Sequence, residues 1–151
     1  MKRILRSPVV NAVCISLFTA FYSLVFFMSS KSSGFENGLY RDEVAYFWSA
    51  WSSFLASGDH LYVACVLIAV TVLIVTLLIK RHRSYDEYHT SILTHCLVVA
   101  SVLTMISIAI FYLLVLNDPT GITGKFTLFI VIHWTTVVFA DLAYVLLCRW
   151  R

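Results

Sequence analysis

Charged side chains are scarce in this chain. Asp, Glu, Lys and Arg make up 13% of its 151 residues, whereas 60% are hydrophobic, and the mean hydropathy is +0.87. A water-soluble domain of this size could not hide so much apolar surface, because part of it would have to face water. The composition therefore argues against a soluble domain and favours a protein surrounded by lipid.

Glycine and proline are also rare, with five and two residues respectively, which argues against disordered or low-complexity linkers. The common hydrolase, phosphate-loop and dinucleotide-binding motifs are missing, so we predict no catalytic residue. Paired cysteines are missing too: Cys14, Cys65 and Cys96 fall within apolar segments, and Cys148 ends one. A disulfide framework or redox motif would need close spacing or exposed loops. We therefore expect these cysteines to act as small apolar side chains.

Four apolar segments are long enough to cross a bilayer. A transmembrane helix needs about 20 mainly apolar residues, and residues 8–30, 61–79, 91–116 and 126–148 meet this requirement. The only acid within them is Asp141. The first segment is too long for the apolar part of a signal peptide, and no convincing cleavage site follows it. The sequence predicts an all-α membrane protein: one membrane domain, residues 1–151, built as a bundle of four transmembrane helices.

Basic residues are distributed unevenly between the two sides of this bundle. With the N terminus inside, eight lie on the cytoplasmic side and three outside, and cytoplasmic loops normally carry the excess. We therefore predict a multi-pass protein of a plasma membrane or bacterial inner membrane, with both termini in the cytoplasm. This bias explains the net charge of +3, so we expect no nucleic-acid partner. The cytoplasmic set is Lys2, Arg3, Arg6, Lys80, Arg81, Arg83, Arg149 and Arg151, and the outer set is Lys31, Arg41 and Lys125.

The only long loop, residues 31–60, contains a helical pattern. At about 100° per residue, one face of residues 42–56 carries large apolar side chains. Because tryptophan is enriched where lipid meets water, we favour an amphipathic helix lying flat in the outer interface. The alternative is a lid packed over the bundle. The face consists of Val44, Phe47, Trp48, Trp51, Phe54 and Leu55, and Phe47, Trp48, Trp51 and Phe54 are the candidate contacts to lipid or a partner.

Three ionisable side chains lie inside the apolar segments, where such groups are costly and default to functional candidates. They are His95, His133 and Asp141. On a helix, His133, Asp141 and Tyr144 fall within an arc of roughly 100°. By helical rise, Asn11 and His95 lie near the depth of Asp141 in the cytoplasmic half. The predicted intramembrane polar site is therefore His95, His133, Asp141, Tyr144 and Asn11.

Two hypotheses explain this polar set. In the first, His95 and Asp141 form an ion pair or hydrogen bond, and His133 continues a polar path outward. In the second, Asp141 bonds a hydroxyl, amide or imidazole of a neighbouring helix and fixes the packing. The second is the commoner case, and we favour it slightly.

No metal or cofactor is predicted. His95 and His133 differ in depth by about 16 Å, so they cannot ligate one ion or haem within a chain. The loop with His82, Asp86, Glu87 and His89 could gather around a divalent ion, although such a mixture more often forms a solvated loop. A metal site in this loop is therefore the less favoured hypothesis.

Stripes of small side chains suggest helix association. Ala12, Ser16, Thr19 and Ser23 recur on the first segment, and Thr94, Ser101, Thr104 and Ser107 on the third; such stripes let helices approach closely. The second segment is the most uniformly apolar, so we expect it to be the most exposed to lipid.

The leading functional hypothesis is a non-enzymatic accessory or interaction subunit, in contact with the lipid bilayer and with a second copy or a partner membrane protein. The alternative is a small oligomeric transporter or channel for protons or small solutes, using the polar face of the fourth segment. The weakest is an enzyme acting on a lipid-soluble substrate.

Overall fold

The computed structural model describes residues 7–37, 46–80, 85–118 and 121–149. Within these ranges there are five α-helices and no strand: α1 (Pro8–Asn37), α2 (Tyr46–Ser57), α3 (His60–Ile79), α4 (Glu87–Asn117) and α5 (Ile122–Arg149). All except α2 are long and apolar enough to cross a membrane. The predicted all-α fold with four candidate spans is thus confirmed.

Local sequence fixes several of the helix ends. Gly58 separates α2 from α3 with a φ of +85°, a left-handed conformation that glycine adopts without steric cost. Asp86 precedes α4 in an extended conformation, and its carboxylate accepts a hydrogen bond from the Glu87 backbone amide at 2.7 Å, which is the usual role of an N-cap. Gly121, with a φ of +60°, precedes α5.

The helix α5 is the centre of the structure, because it packs against α1, α3 and α4. Together with α1 and α3 it forms a three-helix core. The largest side chains in this core are almost fully buried, among them Phe26 on α1, Ile74 on α3 and Trp134 and Val138 on α5. Large apolar side chains therefore fill the space between these three helices.

The helix α4 lies outside this core and packs extensively against α5 alone. Only 6% of its most apolar stretch is buried, against 22%, 28% and 33% in α1, α3 and α5. The expectation that the second span, α3, would be the most exposed was therefore wrong. A uniformly apolar helix can face lipid on every side, but its hydropathy does not show how many other helices pack around it.

Opposite sides of α5 face these two neighbourhoods. At about 100° per residue, Trp134, Val138 and Asp141 share the side toward α1 and α3. Thr135, Phe139 and Ala143 lie on the other side and line a groove with α4. The helix α5 therefore presents one side to the core and another to the groove.

The short helix α2 packs against α1 and α3. Leu55 is buried, and the Trp51 indole Nε1 donates a hydrogen bond to the Gly124 carbonyl at 3.0 Å. The helix predicted at 42–56 is observed from Tyr46 to Ser57, while positions 42–45 lie outside the described residues. Below, the end of the bundle near Pro8 and Leu147 is called the terminal end, and the opposite end the α2 end.

Candidate functional site

Asp141 lies buried in the three-helix core near the terminal end, with 4% of its surface exposed. The Asn11 side-chain amide of α1 approaches its carboxyl group. Neither the Asn11 Nδ2 nor the Asp141 Oδ1 has a hydrogen-bond partner among the described residues. A buried polar atom without a partner costs free energy. The site is therefore a buried carboxyl group whose bonding is incomplete.

Buried aromatic side chains pack together near the terminal end. Tyr144, one turn along α5 from Asp141, is fully buried, and Tyr85 is 2% exposed. Their rings meet edge to face with centroids 5.5 Å apart. The His89 ring stacks on that of Tyr85, with centroids 6.4 Å apart.

His95 lies away from Asp141, on the other side of α5. His95 is exposed, and its side chain lines the α4–α5 groove. Its Nδ1 is 2.7 Å from the Ser91 carbonyl oxygen, one turn earlier in α4. The structure therefore does not bring His95 and Asp141 together, and the pair considered from the sequence does not form. The helical projection of α5 gave the direction of Asp141 but not the position of α4.

His133 belongs to a third environment, between α1 and α5. Its Nδ1 shares a hydrogen bond with the Tyr22 hydroxyl, and its ring is 5.9 Å from the Phe129 ring. His133 is half-buried, at the edge of the core face rather than at its centre. The environment of His133 is therefore separate from that of Asp141, although both residues are on α5.

An apolar layer separates the two polar regions. Ile15, Ile74 and Val138 follow the Asp141 site by one turn on α1, α3 and α5, and all three belong to the buried core. The next polar contact toward the α2 end is Thr19 Oγ1 to Thr71 Oγ1 at 3.1 Å. Thr71 also bonds the Leu67 carbonyl, so Thr19 is the donor to Thr71. Among the described residues, these polar groups are therefore separated along the core by apolar side chains.

Several buried polar groups were missed from the sequence. The Trp134 Nε1 and the His60 Nδ1 have no hydrogen-bond partner in the part of the chain that the structure describes. Lys125, counted only as an outer basic residue, is 4% exposed and lies 2.9 Å from Asp118. Lys125 and Asp118 flank a segment whose composition predicts a turn, which indicates that they are close. The sequence did not indicate that α2 would cover Lys125.

The face of α2 is turned mainly toward the protein. Trp51, Phe54 and Trp48 are partly buried, and the Lys125 Nζ lies 5.5 Å from the centre of the Trp48 ring. Phe47, by contrast, is 56% exposed. These contacts are those expected of a lid packed over the bundle, which was the less favoured alternative.

A groove of about 530 Å³ runs between α4 and α5. Small side chains on both helices leave this space, among them Cys96, Ala100, Ala140 and Ala143. His95 lies at the end nearer the terminal end of the bundle, and the Thr136 hydroxyl at the groove wall bonds the Ile132 carbonyl. The groove is thus mostly apolar with one imidazole at its margin.

Metal-binding groups do not cluster in the described ranges. No set of three His, Cys, Asp or Glu side chains is placed to hold an ion there. His82 of the loop considered from the sequence lies outside the described residues. Among the described residues, Cys14, Cys65 and Cys96 form no disulfide bond.

Comparison of the chain with protein-family models, with curated proteins and with solved structures finds no match. The chemistry of its own side chains must therefore carry any functional conclusion.

Proposed function

We propose that this chain is a four-pass membrane protein with cytoplasmic termini, acting without catalysis as a subunit that binds another membrane helix along α4 and the α4–α5 groove. The observation that carries the proposal is the packing of α4, which has one helical neighbour and 6% of its apolar stretch buried. The other three long helices support one another. The helix α4 contributes little to the core and presents most of its surface outward.

The composition of the groove supports a helix as its occupant. In lipid there is little hydrophobic driving force between helices, so association depends on close packing over small residues. Ala100, Ala140 and Ala143 give such a floor, and Val99, Leu103 and Phe139 form its walls. A helix in the groove would make closer van der Waals contacts with these side chains than lipid tails do.

His95 gives the groove a polar end. An imidazole facing lipid is costly, and the Nδ1 of His95 is already used by the Ser91 carbonyl. Because the Nδ1 must donate to that carbonyl, the Nε2 of the neutral ring is an acceptor, and a donor from a partner helix would satisfy it. By helical rise His95 is about 12 Å from the start of α4, so the partner would contribute this group near the cytoplasmic boundary.

Site-specific photo-crosslinking in native membranes tests the proposal. A photoreactive residue at Val99, which lines the groove and is 58% exposed, should give one discrete protein adduct. The same residue at Val72 on α3, which is 59% exposed, is the matched control and should react with lipid only. Lipid adducts alone at both positions would overturn the proposal. The mass of the adduct distinguishes a second copy from a different protein.

The second candidate function is a small oligomeric transporter. The observation that favours it is the buried carboxyl of Asp141, whose Oδ1 lacks a partner. The apolar layer of Ile15, Ile74 and Val138 opposes a path through one chain in this conformation. Transport predicts pH-dependent flux into liposomes that Asp141→Asn abolishes while the protein stays folded; equal flux in the variant would exclude Asp141 from the path.

A further inference from the structure

Asp141 sits in a setting that a charged carboxylate does not fit. It is 4% exposed, and its Oδ1 has no hydrogen-bond partner among the described residues. The ion pair between Lys125 and Asp118 lies far from Asp141, at the α2 end. Burying an isolated carboxylate costs far more than burying a neutral acid. The charge must therefore be neutralised at the site itself.

The Asn11 side chain indicates which species neutralises the Asp141 carboxylate. Its amide approaches the Asp141 carboxyl, and its Nδ2 also lacks a partner. A neutral carboxylic acid and a primary amide are complementary: the acid hydroxyl donates to the amide oxygen, and the amide nitrogen donates to the acid carbonyl. The Asn11 Nδ2 would then donate to the acid carbonyl oxygen, and the bound proton would supply the second hydrogen bond, from the acid hydroxyl to the Asn11 amide oxygen. A metal ion would instead need several oxygen ligands, and a single carboxylate with one amide provides few.

We propose that Asp141 and Asn11 form a proton-binding site in the three-helix core, with Asp141 carried as a neutral acid that is hydrogen-bonded reciprocally to the Asn11 amide. The proton comes from water at the terminal end and returns to it as hydronium or to a base. This site is independent of the partner helix proposed above, since α5 separates it from the α4–α5 groove.

The groups around the site are mostly uncharged. Tyr144 of α5 meets Tyr85, which precedes α4, and His89 stacks on Tyr85. Ile74 and Leu78 on α3 belong to the same buried core and carry no charge. Loss of the proton would leave a buried anion among mostly uncharged side chains, which is costly.

Infrared spectroscopy of the full-length protein in lipid discs tests the site. The wild-type protein at pH 7 should show the carbonyl stretch of a neutral carboxylic acid, shifted in D₂O, with the intensity of one of its eight acidic side chains. An exposed aspartate is protonated in only about one molecule in a thousand at that pH. The absence of this band in the wild type would overturn the proposal without any variant.

Variants then assign the band. It should vanish in Asp141→Asn, which keeps an amide–amide pair with Asn11, and persist in Asp118→Asn, whose native carboxylate is paired with Lys125. A band that survives in Asp141→Asn belongs to another residue and contradicts the proposal. In Asn11→Ala the band should move to higher frequency because the acid loses its acceptor; an unchanged frequency would contradict the pairing.

Two further measurements separate the remaining possibilities. Replacing choline chloride by sodium or potassium chloride should leave the band unchanged, and its disappearance would show a metal cation rather than a proton at the site. His89→Gln should leave the band intact at pH 7. If the band disappears in this variant, the proton is shared with His89 and the assignment to an Asp141–Asn11 pair is wrong.

Discussion

The ion pair beneath α2 predicts an unequal response to removal of its two members. Lys125 is 4% exposed, whereas the side chain of Asp118 is 46% exposed. The Lys125 Nζ donates to the Asp118 Oδ2 at 2.9 Å and also to the Asp118 carbonyl. The Trp48 ring lies 5.5 Å from the same nitrogen. The ammonium is therefore enclosed and the carboxylate is not.

The expected magnitudes follow from which charge is left behind. Breaking a buried pair typically costs about 3–5 kcal/mol when the remaining charge is buried. In Asp118→Ala the Lys125 ammonium keeps one carbonyl and a cation–π contact of about 1 kcal/mol, so we expect a loss of about 2–3 kcal/mol. In Lys125→Met the Asp118 carboxylate is rehydrated and the apolar stem is retained, so we expect a loss of about 1 kcal/mol or less.

Unfolding in mixed micelles with increasing SDS, followed by far-UV circular dichroism, measures these differences. The double variant should be more stable than Asp118→Ala alone, because it no longer contains a buried ammonium that has lost its carboxylate. Asp59→Ala is a suitable control, since Asp59 is exposed, and it should change stability by no more than about 0.5 kcal/mol. If Lys125→Met is the more damaging single variant, the reasoning from burial is refuted.

Three further predictions use the same unfolding assay. Thr19→Val and Thr71→Val should show a coupling of about 0.6 kcal/mol in a double-mutant cycle, the average for hydrogen bonds between membrane helices; no coupling would mean that the two hydroxyls do not bond. Substitutions of His95 and Asp141 to Ala should add within about 0.5 kcal/mol, because α5 lies between them, and a larger coupling would contradict their placement on opposite sides. Trp134→Ala should cost about 3–5 kcal/mol by leaving a cavity in the core; a cost below about 1 kcal/mol would show that the core is looser than the full burial of Trp134 indicates.

Much of the fold could be predicted from hydropathy and segment length. The observed long helices overlap all four predicted segments, and the short helix predicted at 42–56 overlaps α2. This succeeded because a bilayer demands about 20 apolar residues per helix, a requirement that depends on local sequence alone. The helix α2 was found for a similar reason, since one of its faces carries large apolar side chains.

The neighbours of each helix could not be predicted in the same way. The helical projection placed Asp141 and Tyr144 on one face of α5, and both are buried. It could not show whether α1 or α4 covers that face, because all four long helices are almost uniformly apolar. The neighbour of Asp141 is therefore Asn11 of α1, whereas His95 of α4, at a similar predicted depth, faces the groove. Depth follows from the rise per residue, but azimuth needs the tertiary packing.

The two sides of α5 make the two proposals experimentally separable. The core side holds Asp141 near Asn11 of α1, and the opposite side holds Ala140 and Ala143, which line the groove with α4. A bulky residue such as Ala143→Leu would fill the groove without entering the Asp141 site, so it should reduce the Val99 adduct and leave the acid band unchanged. Asp141→Asn should do the reverse. If either variant changes both readouts, α5 transmits a structural change between its two sides, and partner binding is coupled to proton release.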